Sequence, residues 1–384
     1  MSASAGTTAA GPVLHGAASR EADRAGAREA ILVPAPRLHR QLEALFTAWC
    51  GPAHATASAD ALVEADLMGI DSHGITLVTL YEELVAKSMI ARDADIRVVQ
   101  DLGAIAVLDA GGGFGHAPAT RAMDLACERA AAFGVGAVAV RGSNHFGAAG
   151  VYALRAARAG MIGLVTSAVH AASIVPVFGR APRLGTNPIA FAAPGADGAP
   201  FLLDIATSTI AIGKLKLAAR EGRRLPDGWA LDADGRPQHD PEAALRDRLM
   251  TPLGGSREMG GHKGYGLAAM VEVLSTLLAG ASYAPLRDRG APRYDVGHLC
   301  LALSPEAFRG PNAFGPDLDA FLACLRETPP AADAARVLAP GDPEHAMRAR
   351  REREGIPIPR SLVAAVKAVA EARGAGFHLE DPDT

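Results

Sequence analysis

His73 and His145 are the residues of this chain best suited to moving a proton. Each sits in a glycine-containing segment at an element boundary: Gly69-Ile70-Asp71-Ser72-His73-Gly74 and Arg141-Gly142-Ser143-Asn144-His145-Phe146-Gly147. An imidazole with a pKa near ~6.5 can donate or accept a proton at neutral pH. A lone histidine in such a setting more often serves the fold; two in similar settings make proton transfer worth weighing. Lys263 ends a glycine-rich run from Gly254 to Gly264. It can pair with a phosphate or a carboxylate, or stand as a solvated surface lysine. Asp204 follows Phe201-Leu202-Leu203, at the mouth of a buried strand. There it can accept hydrogen bonds from ribose hydroxyls or cap the following turn. His116 and His262 lie in flexible-loop motifs and read as structural. No His-Glu-x-x-His or equivalent short spacing marks a metal site.

These residues need a scaffold, and the stretch 185–208 supplies its centre. Two apolar runs, Ile189–Ala193 and 201–203, flank a turn at Pro194-Gly195-Ala196-Asp197-Gly198. They read as short strands ending beside Thr186, Asn187, Thr207 and Ser208. Small hydroxyl and amide groups at strand ends suit a polar ligand. A plain hairpin followed by a helix over 209–220 is the alternative. Upstream, Leu38, Leu42, Leu45, Phe46 and Trp49 share one face of a helix over 37–50. Further helices are predicted at 58–68, 77–85, 117–133 and 148–159, and strands at 96–100, 104–109, 135–140 and 162–167. Downstream come a polar, turn-rich stretch at 221–241, an apolar helix at 267–278 and a strand at 298–303. A turn at Pro340-Gly341-Asp342-Pro343-Glu344 precedes two helices, the last starting near Ser361. The alternation indicates a mixed α/β protein. Gly134-Val135-Gly136-Ala137-Val138-Ala139 fits a dinucleotide fingerprint in letters only. It follows a helix and begins a strand, the reverse of the required context.

At 384 residues the chain is long enough for two subdomains. Its 49% hydrophobic and 21% charged content is that of an ordinary globular protein. The net charge of −4 gives no reason to expect nucleic acid or an anionic membrane as partner. The arginines of 348–353, interrupted by glutamate, read as a solvated helix face. Cys50, Cys127, Cys300 and Cys324 are too dispersed for a disulfide framework or a zinc site. Cys50 and Cys300 read as packed thiols. No apolar run approaches the about 20 residues of a membrane span. A cytoplasmic location is the default, and residues 1–30 are expected to form a disordered extension.

Taken together, six ordered motifs resemble the malate/L-lactate dehydrogenase family of the non-Rossmann type. They are Asp71-Ser72-His73-Gly74; Ser143-Asn144-His145-Phe146-Gly147 with Gly150 and Tyr152; Gly185-Thr186-Asn187-Pro188; Asp204-Ile205-Ala206-Thr207-Ser208; Pro226-Asp227-Gly228-Trp229-Ala230 with Asp232 and Gly235; and Lys263-Gly264-Tyr265-Gly266-Leu267. The resemblance covers roughly residues 37 to 375. It implies an NAD- or NADP-dependent oxidoreductase acting on 2-hydroxy or 2-oxo acids, or on cyclic imino acids, and a homodimer. It implies a mixed α/β fold like that of sulfolactate dehydrogenase. Residues 116–295 would form the cofactor domain, and 37–115 with 296–384 a terminal substrate and dimerisation domain. By motif, His73 resembles the residue that trades a proton with substrate, and His145 a second active-site histidine. Asp204, Ile205, Ala206, Thr207, Ser208, Lys263 and Gly264 resemble cofactor contacts, as do Gly341 and Glu344 more loosely. Ser72, Thr186 and Asn187 resemble pocket residues near the substrate. The chain departs from the family at Leu77 and Met68, where arginine is frequent, and around Ala168-Val169-His170. A carboxylate in a dry pocket needs a charged partner, for which Arg183 and His170 are candidates. A cofactor-binding module with little turnover and a metal-dependent hydrolase or lyase are the alternatives.

Overall fold

The computed structural model describes residues 30–196, 198–287 and 293–380. The extension expected over 1–30 lies outside the described residues, apart from Ala30, which opens a strand. In chain order the elements are β1 (Ala30–Val33), α1 (Ala35–Cys50), α2 (Pro52–Leu67), α3 (Val78–Ala86), β2 (Arg97–Leu102), β3 (Ile105–Asp109), α4 (His116–Phe133), β4 (Val135–Ser143), α5 (Ala149–Arg158) and β5 (Ile162–Ser167). There follow β6 (Ile189–Ala193), β7 (Phe201–Ile205), α6 (Ile212–Arg220), α7 (Pro241–Asp247), α8 (Gly261–Val271), β8 (Val296–Leu303), α9 (Pro305–Arg309), α10 (Phe314–Arg326), α11 (Asp342–Glu354), β9 (Ile356–Pro359) and α12 (Arg360–Arg373).

The large sheet has seven strands in the order β2-β3-β4-β8-β5-β6-β7. Only β3 and β4 pair in parallel; β8 comes from late in the chain and runs antiparallel to both its neighbours. The fold is therefore mixed α/β, and not the parallel doubly wound sheet of a Rossmann domain. The β2–β3 hairpin and the β6–β7 hairpin form as their apolar runs predict. The reversed fingerprint at Gly134 and Gly136 also reads as predicted. A Cβ on Gly136 would lie 2.0 Å from the carbonyl oxygen of Ala126, so glycine there lets α4 press onto β4.

Two main cores flank the site. In one, the predicted stripe of α1 (Leu38, Leu42, Leu45, Phe46, Trp49) is fully buried against α2, α3 and α12. The other lies between the sheet and α4 and α5, around Leu108, Met123, Val138, Tyr152 and Val165. A smaller one gathers Ile210, Leu215, Leu225 and Met250.

Three differences from the sequence expectations have local causes. The second helix starts at Pro52 rather than 58, because proline at the first position and the alanines that follow suit a helix start. The strands β1 and β9 pair with each other but have four residues each, too few to show a period. The expected helix over 267–278 begins at Gly261 and widens into a π-helical turn at Glu272–Leu277. Lys263 and Gly264 thus lie in the first turn of α8, not in a loop.

That π turn packs on β8 with no room to spare: a Cβ on Gly297 would lie 1.8 Å from the carbonyl oxygen of Ser275. Gly297→Ala is expected to cost about 1–3 kcal/mol of stability through overpacking. A urea titration checks it: the midpoint should fall while the slope stays constant.

Candidate active site

The histidine turn is built from below. Residues 71–77 form two successive 3-10 turns after α2. The carboxyl of Asp66, buried at the end of α2, accepts the backbone N–H of Ile75 at 2.8 Å. Gly74 lies directly over it, where a Cβ would come 1.8 Å from Oδ1. Burial pushes this carboxyl up to about 8. On the other side of His73, Arg351 of α11 forks onto Asp71, with Nη1 at 2.5 Å and Nη2 at 3.2 Å. The Oγ of Ser72 lies 2.8 Å from Nδ1 of His73, which leaves Nε2 for a ligand.

The ring of His73 stacks on that of His145, with centroids 5.8 Å apart and planes 20° apart. His145 is carried by the loop between β4 and α5. Its Nδ1 receives the N–H of Gly147 at 3.3 Å and lies 2.9 Å from the hydroxyl of Tyr81. A backbone N–H can only donate, so this nitrogen is an acceptor and the ring proton sits on Nε2. Tyr81 then donates to His145 and accepts from Nε2 of His116, 3.0 Å away. The buried Nδ1 of His116 is left without a partner. His116 is fully buried, which agrees with its reading as structural.

Burial sets the charge state of these rings. It lowers His73, and it holds His145 well below the usual range, with neighbouring His73, His116, His170 and His298 adding to the effect. Burial also brings His116 and His298 down to about 3. His298, in the centre of β8, lies between the hydroxyls of Ser167 and Ser143, each at 2.8 Å. Its ring stacks on Phe146 at 4.4 Å and so fixes the loop that carries His145. Sequence reading passed over His298, Tyr81 and Asp66, and took Arg351 as part of a solvated face. Residue type and neighbours carry no signal of a partner from a distant segment.

The end of β7 completes the site. Asp204 accepts the N–H of Gly150 at 2.7 Å, in the first turn of α5. It therefore caps a helix from another part of the chain, not the turn that follows it. Burial pushes its carboxyl up to about 6, and the charge of Glu344 adds to this. Glu344 lies in the first turn of α11, whose N-cap is Gly341 at φ 99°. Ile205 and Ala206 are half-buried at the strand end. The N–H of Thr207 donates to the carbonyl of Thr186 at 2.8 Å, and its hydroxyl reaches the carbonyls of Thr186 and Asn187 at 3.1 Å. Ser208 donates to the carbonyl of Ile210. Asn187 sits at φ 33°, fully buried, with its amide bonded to Val169, Ala268 and Glu272. It ties the start of β6 to α8 and has no free polar group for a ligand.

The first turn of α8 rests on the same strand end. A Cβ on Gly264 would lie 2.2 Å from the oxygen of Leu253, whose N–H donates to Thr207 at 2.8 Å. Lys263 is exposed there. The N-termini of α6 and α8 carry no side-chain cap, and a Cβ on Gly213 would meet nothing within 4 Å. The positive ends of these helices and the exposed Lys263 fit the diphosphate of a dinucleotide.

On the substrate side, Leu77 and Met68 are buried apolar residues. His170 stacks on Tyr294 at 4.0 Å, and the guanidinium of Arg287 lies 4.9 Å from the same ring. Burial and then Arg287 bring His170 down to about 4. Arg183 is exposed. Arg287 is a cation that sequence reading did not single out.

Paired neutral imidazoles beside the end of β7 are placed to exchange a proton with a small molecule. Residues 33–367 match the family model of malate/L-lactate dehydrogenase, and the chain belongs to that family of oxidoreductases. It is 37% identical over 319 residues to a malate dehydrogenase of Pyrococcus abyssi, covering 82% of this chain and 87% of that one. It is 38% identical over 326 residues to an L-sulfolactate dehydrogenase of Methanothermobacter thermautotrophicus, covering 84% and 91%. A (2R)-3-sulfolactate dehydrogenase (NADP(+)) of Chromohalobacter salexigens is 33% identical, over 83% and 92%. Among solved structures, malate dehydrogenase from Entamoeba histolytica superposes with a TM-score of 0.85 at 30% identity, covering 90% and 99%. A delta1-piperideine-2-carboxylate reductase from Pseudomonas syringae pvar. tomato gives 0.76 at 31% identity, covering 88% and 100%. The fold is the one the motif resemblance implies.

Two measurements follow from the buried rings. Tyr81→Phe leaves two ring nitrogens without their shared hydroxyl and is expected to cost about 1–3 kcal/mol, read from the urea midpoint. His298 has a folded-state pKa far below its unfolded value near ~6.5, so the stability it contributes is present above that value and lost as pH falls toward 3. Between pH 6 and 4 the wild type should lose about 1.4 kcal/mol per pH unit more than His298→Gln. Parallel stability curves would contradict a neutral His298.

Proposed function

We propose that the protein is an NAD(P)-dependent dehydrogenase or reductase moving a hydride between nicotinamide and C2 of a 2-hydroxy or 2-oxo acid, or of a cyclic imino acid. The observation that carries this is the stacked pair His73 and His145, held neutral beside the Asp204–Ser208 strand end. The nicotinamide supplies the hydride chemistry. His73, with Nδ1 engaged by Ser72, takes the hydroxyl proton through Nε2 during oxidation and returns one during reduction. His145 presents Nε2–H as a fixed donor to the substrate oxygen or nitrogen, where charge develops. Asp204 takes ribose hydroxyls, and Lys263 with the N-terminal ends of α6 and α8 takes the diphosphate. Ile205, Ala206, Thr207, Ser208, Gly264, Gly341 and Glu344 wall the cofactor, and Ser72 and Thr186 the substrate. With Leu77 apolar and His170 held neutral, the substrate's acid group turns to Arg287. The relative named with NADP(+) supports a phosphorylated cofactor as one option. The neighbour named as a piperideine-carboxylate reductase supports the C=N substrate.

Residues 116–295 are assigned to the cofactor and 37–115 with 296–384 to the substrate, with β2, β3 and β8 of the second set completing the common sheet. The chain works as a homodimer in this reading. Met270, Val273, Leu277 and Leu278, 41–63% exposed along α8 and the π turn, form an apolar face that a second copy would cover. Its four free cysteines support a cytoplasmic location.

The test is nicotinamide absorbance with NADH and NADPH against pyruvate, oxaloacetate, sulfopyruvate, a diketo sugar acid and piperideine-2-carboxylate. Turnover of one of them is expected; silence with all, alongside measurable cofactor binding, would favour a binding module. His73→Ala should lower kcat by roughly 100-fold or more while cofactor affinity holds. Lys263→Ala should instead weaken the cofactor's dissociation constant with little change in kcat. Because His73 lies below the ordinary imidazole value, hydroxy-acid oxidation should already be at its plateau at neutral pH and fall only on acidification. An inflection above pH 7 would remove His73 as the base.

A further inference from the structure

The helix α11 touches the site at both ends. Its N-terminal end lies on β7: the carbonyl of Pro340 accepts the N–H of Leu202 at 3.3 Å, and Nε2 of His345 lies 2.8 Å from the carbonyl of Pro200. Glu344 there acts electrostatically on Asp204. Three residues on, Met347 packs over Gly69, where a Cβ would come 2.9 Å from its side chain. Arg348 then pairs with Glu64 of α2 at 2.5 Å. Arg351 follows, nine-tenths buried, donating to the carbonyl of Asp66 and forking onto Asp71. Residues 344, 347, 348 and 351 share one helical face, so a single rigid stretch of about 10 Å links the neighbourhood of Asp204 to the histidine turn. The sequence run 348–353, expected as a solvated face, therefore has two arginines, Arg348 and Arg351, turned toward α2 and the histidine turn.

His73 hangs between two anchors. On its N-terminal side Asp71 is held by Arg351; on its C-terminal side Ile75 is held by the Asp66 carboxyl. Arg351 reaches both, through the Asp71 carboxylate and the Asp66 carbonyl. A planar guanidinium can hold two acceptors in fixed directions, which lysine cannot do. We propose that Arg351 is the positioning residue for His73, aiming its imidazole from α11, the same helix that abuts the cofactor end of the site. This rests on the reading of His73 as the proton-transfer group. Asp71 is more than half exposed, so removing Arg351 leaves no buried unpaired carboxylate, and the variant should fold.

The test uses full-length protein and two readouts. One is the imidazole NMR titration of His73, assigned by the signal lost in His73→Gln. The other is steady-state kinetics with cofactor affinity measured separately. In Arg351→Met the His73 midpoint should rise by about half a pH unit as the ring loosens toward solvent and Asp71 is freed. Its kcat should fall roughly tenfold or more, because small misplacements of a reacting group are costly. The cofactor dissociation constant should stay within about twofold, and Arg351→Lys should lie between wild type and Met. An unmoved midpoint with unchanged kcat would overturn the proposal. Equal losses of kcat, cofactor affinity and melting temperature would also overturn it, by reducing Arg351 to support of the fold. If the wild type turns over none of the acids, the functional reading fails, while the His73 titration still decides whether Arg351 sets that ring.

Discussion

Desolvation of imidazole is the constraint on which the rest of the structure depends. His116 and His298 are fully buried near the sheet, His145 and His73 stand at its edge, and His170 lies close by. A buried imidazolium without a counter-charge is costly, so each ring is kept neutral, and four of the five have a nitrogen on a hydroxyl group. Tyr81 serves two rings, Ser143 and Ser167 clasp a third, and Ser72 holds the fourth. The same neutrality that satisfies the fold leaves His73 as a ready base and His145 as a fixed donor.

Holding neutral rings in register requires backbone to approach backbone and side chain closely. Gly74 over Asp66, Gly150 over Asp204 and Gly264 over Leu253 are three places where a Cβ would collide. Each lets a turn or a helix start beside a site residue close onto its neighbour, and the contact of Gly150 with Asp204 joins residues 54 apart. The site is thus assembled from segments around 66–81, 143–150, 186–208, 253–264 and 341–351, and its geometry is a property of their packing. That is why Lys263, placed in a loop by its glycine-rich context, stands in a helical turn against β7.

Much of the scaffold was legible because it rests on local rules. The stripe of α1, the two hairpins and the strand at Ile162–Ser167 follow from periodicity and turn residues alone. The reversed glycine fingerprint could be rejected from its context, since strand and helix order is local information. Elements of four residues, such as β1 and β9, escaped because a period needs length. Part of the site was legible as motifs: both histidines, Asp204 and Lys263 stand out by residue type and neighbours. Asn187 did too, but its amide proved to be engaged by α8 and Val169.

By itself the sequence determined which residues can carry a proton or meet a phosphate, which stretches form helices and strands, and, through six ordered motifs, the family. Only the tertiary structure decided which of those groups meet. Stacking of His73 on His145 joins residues 72 positions apart, and the grip of Arg351 on Asp71 joins residues 280 apart. It also decided the proton on His145 and the partners of Asp66 and His298. The physical reason is that burial, tautomer and pKa depend on what surrounds a side chain in space, and those surroundings come from distant segments that no local pattern encodes.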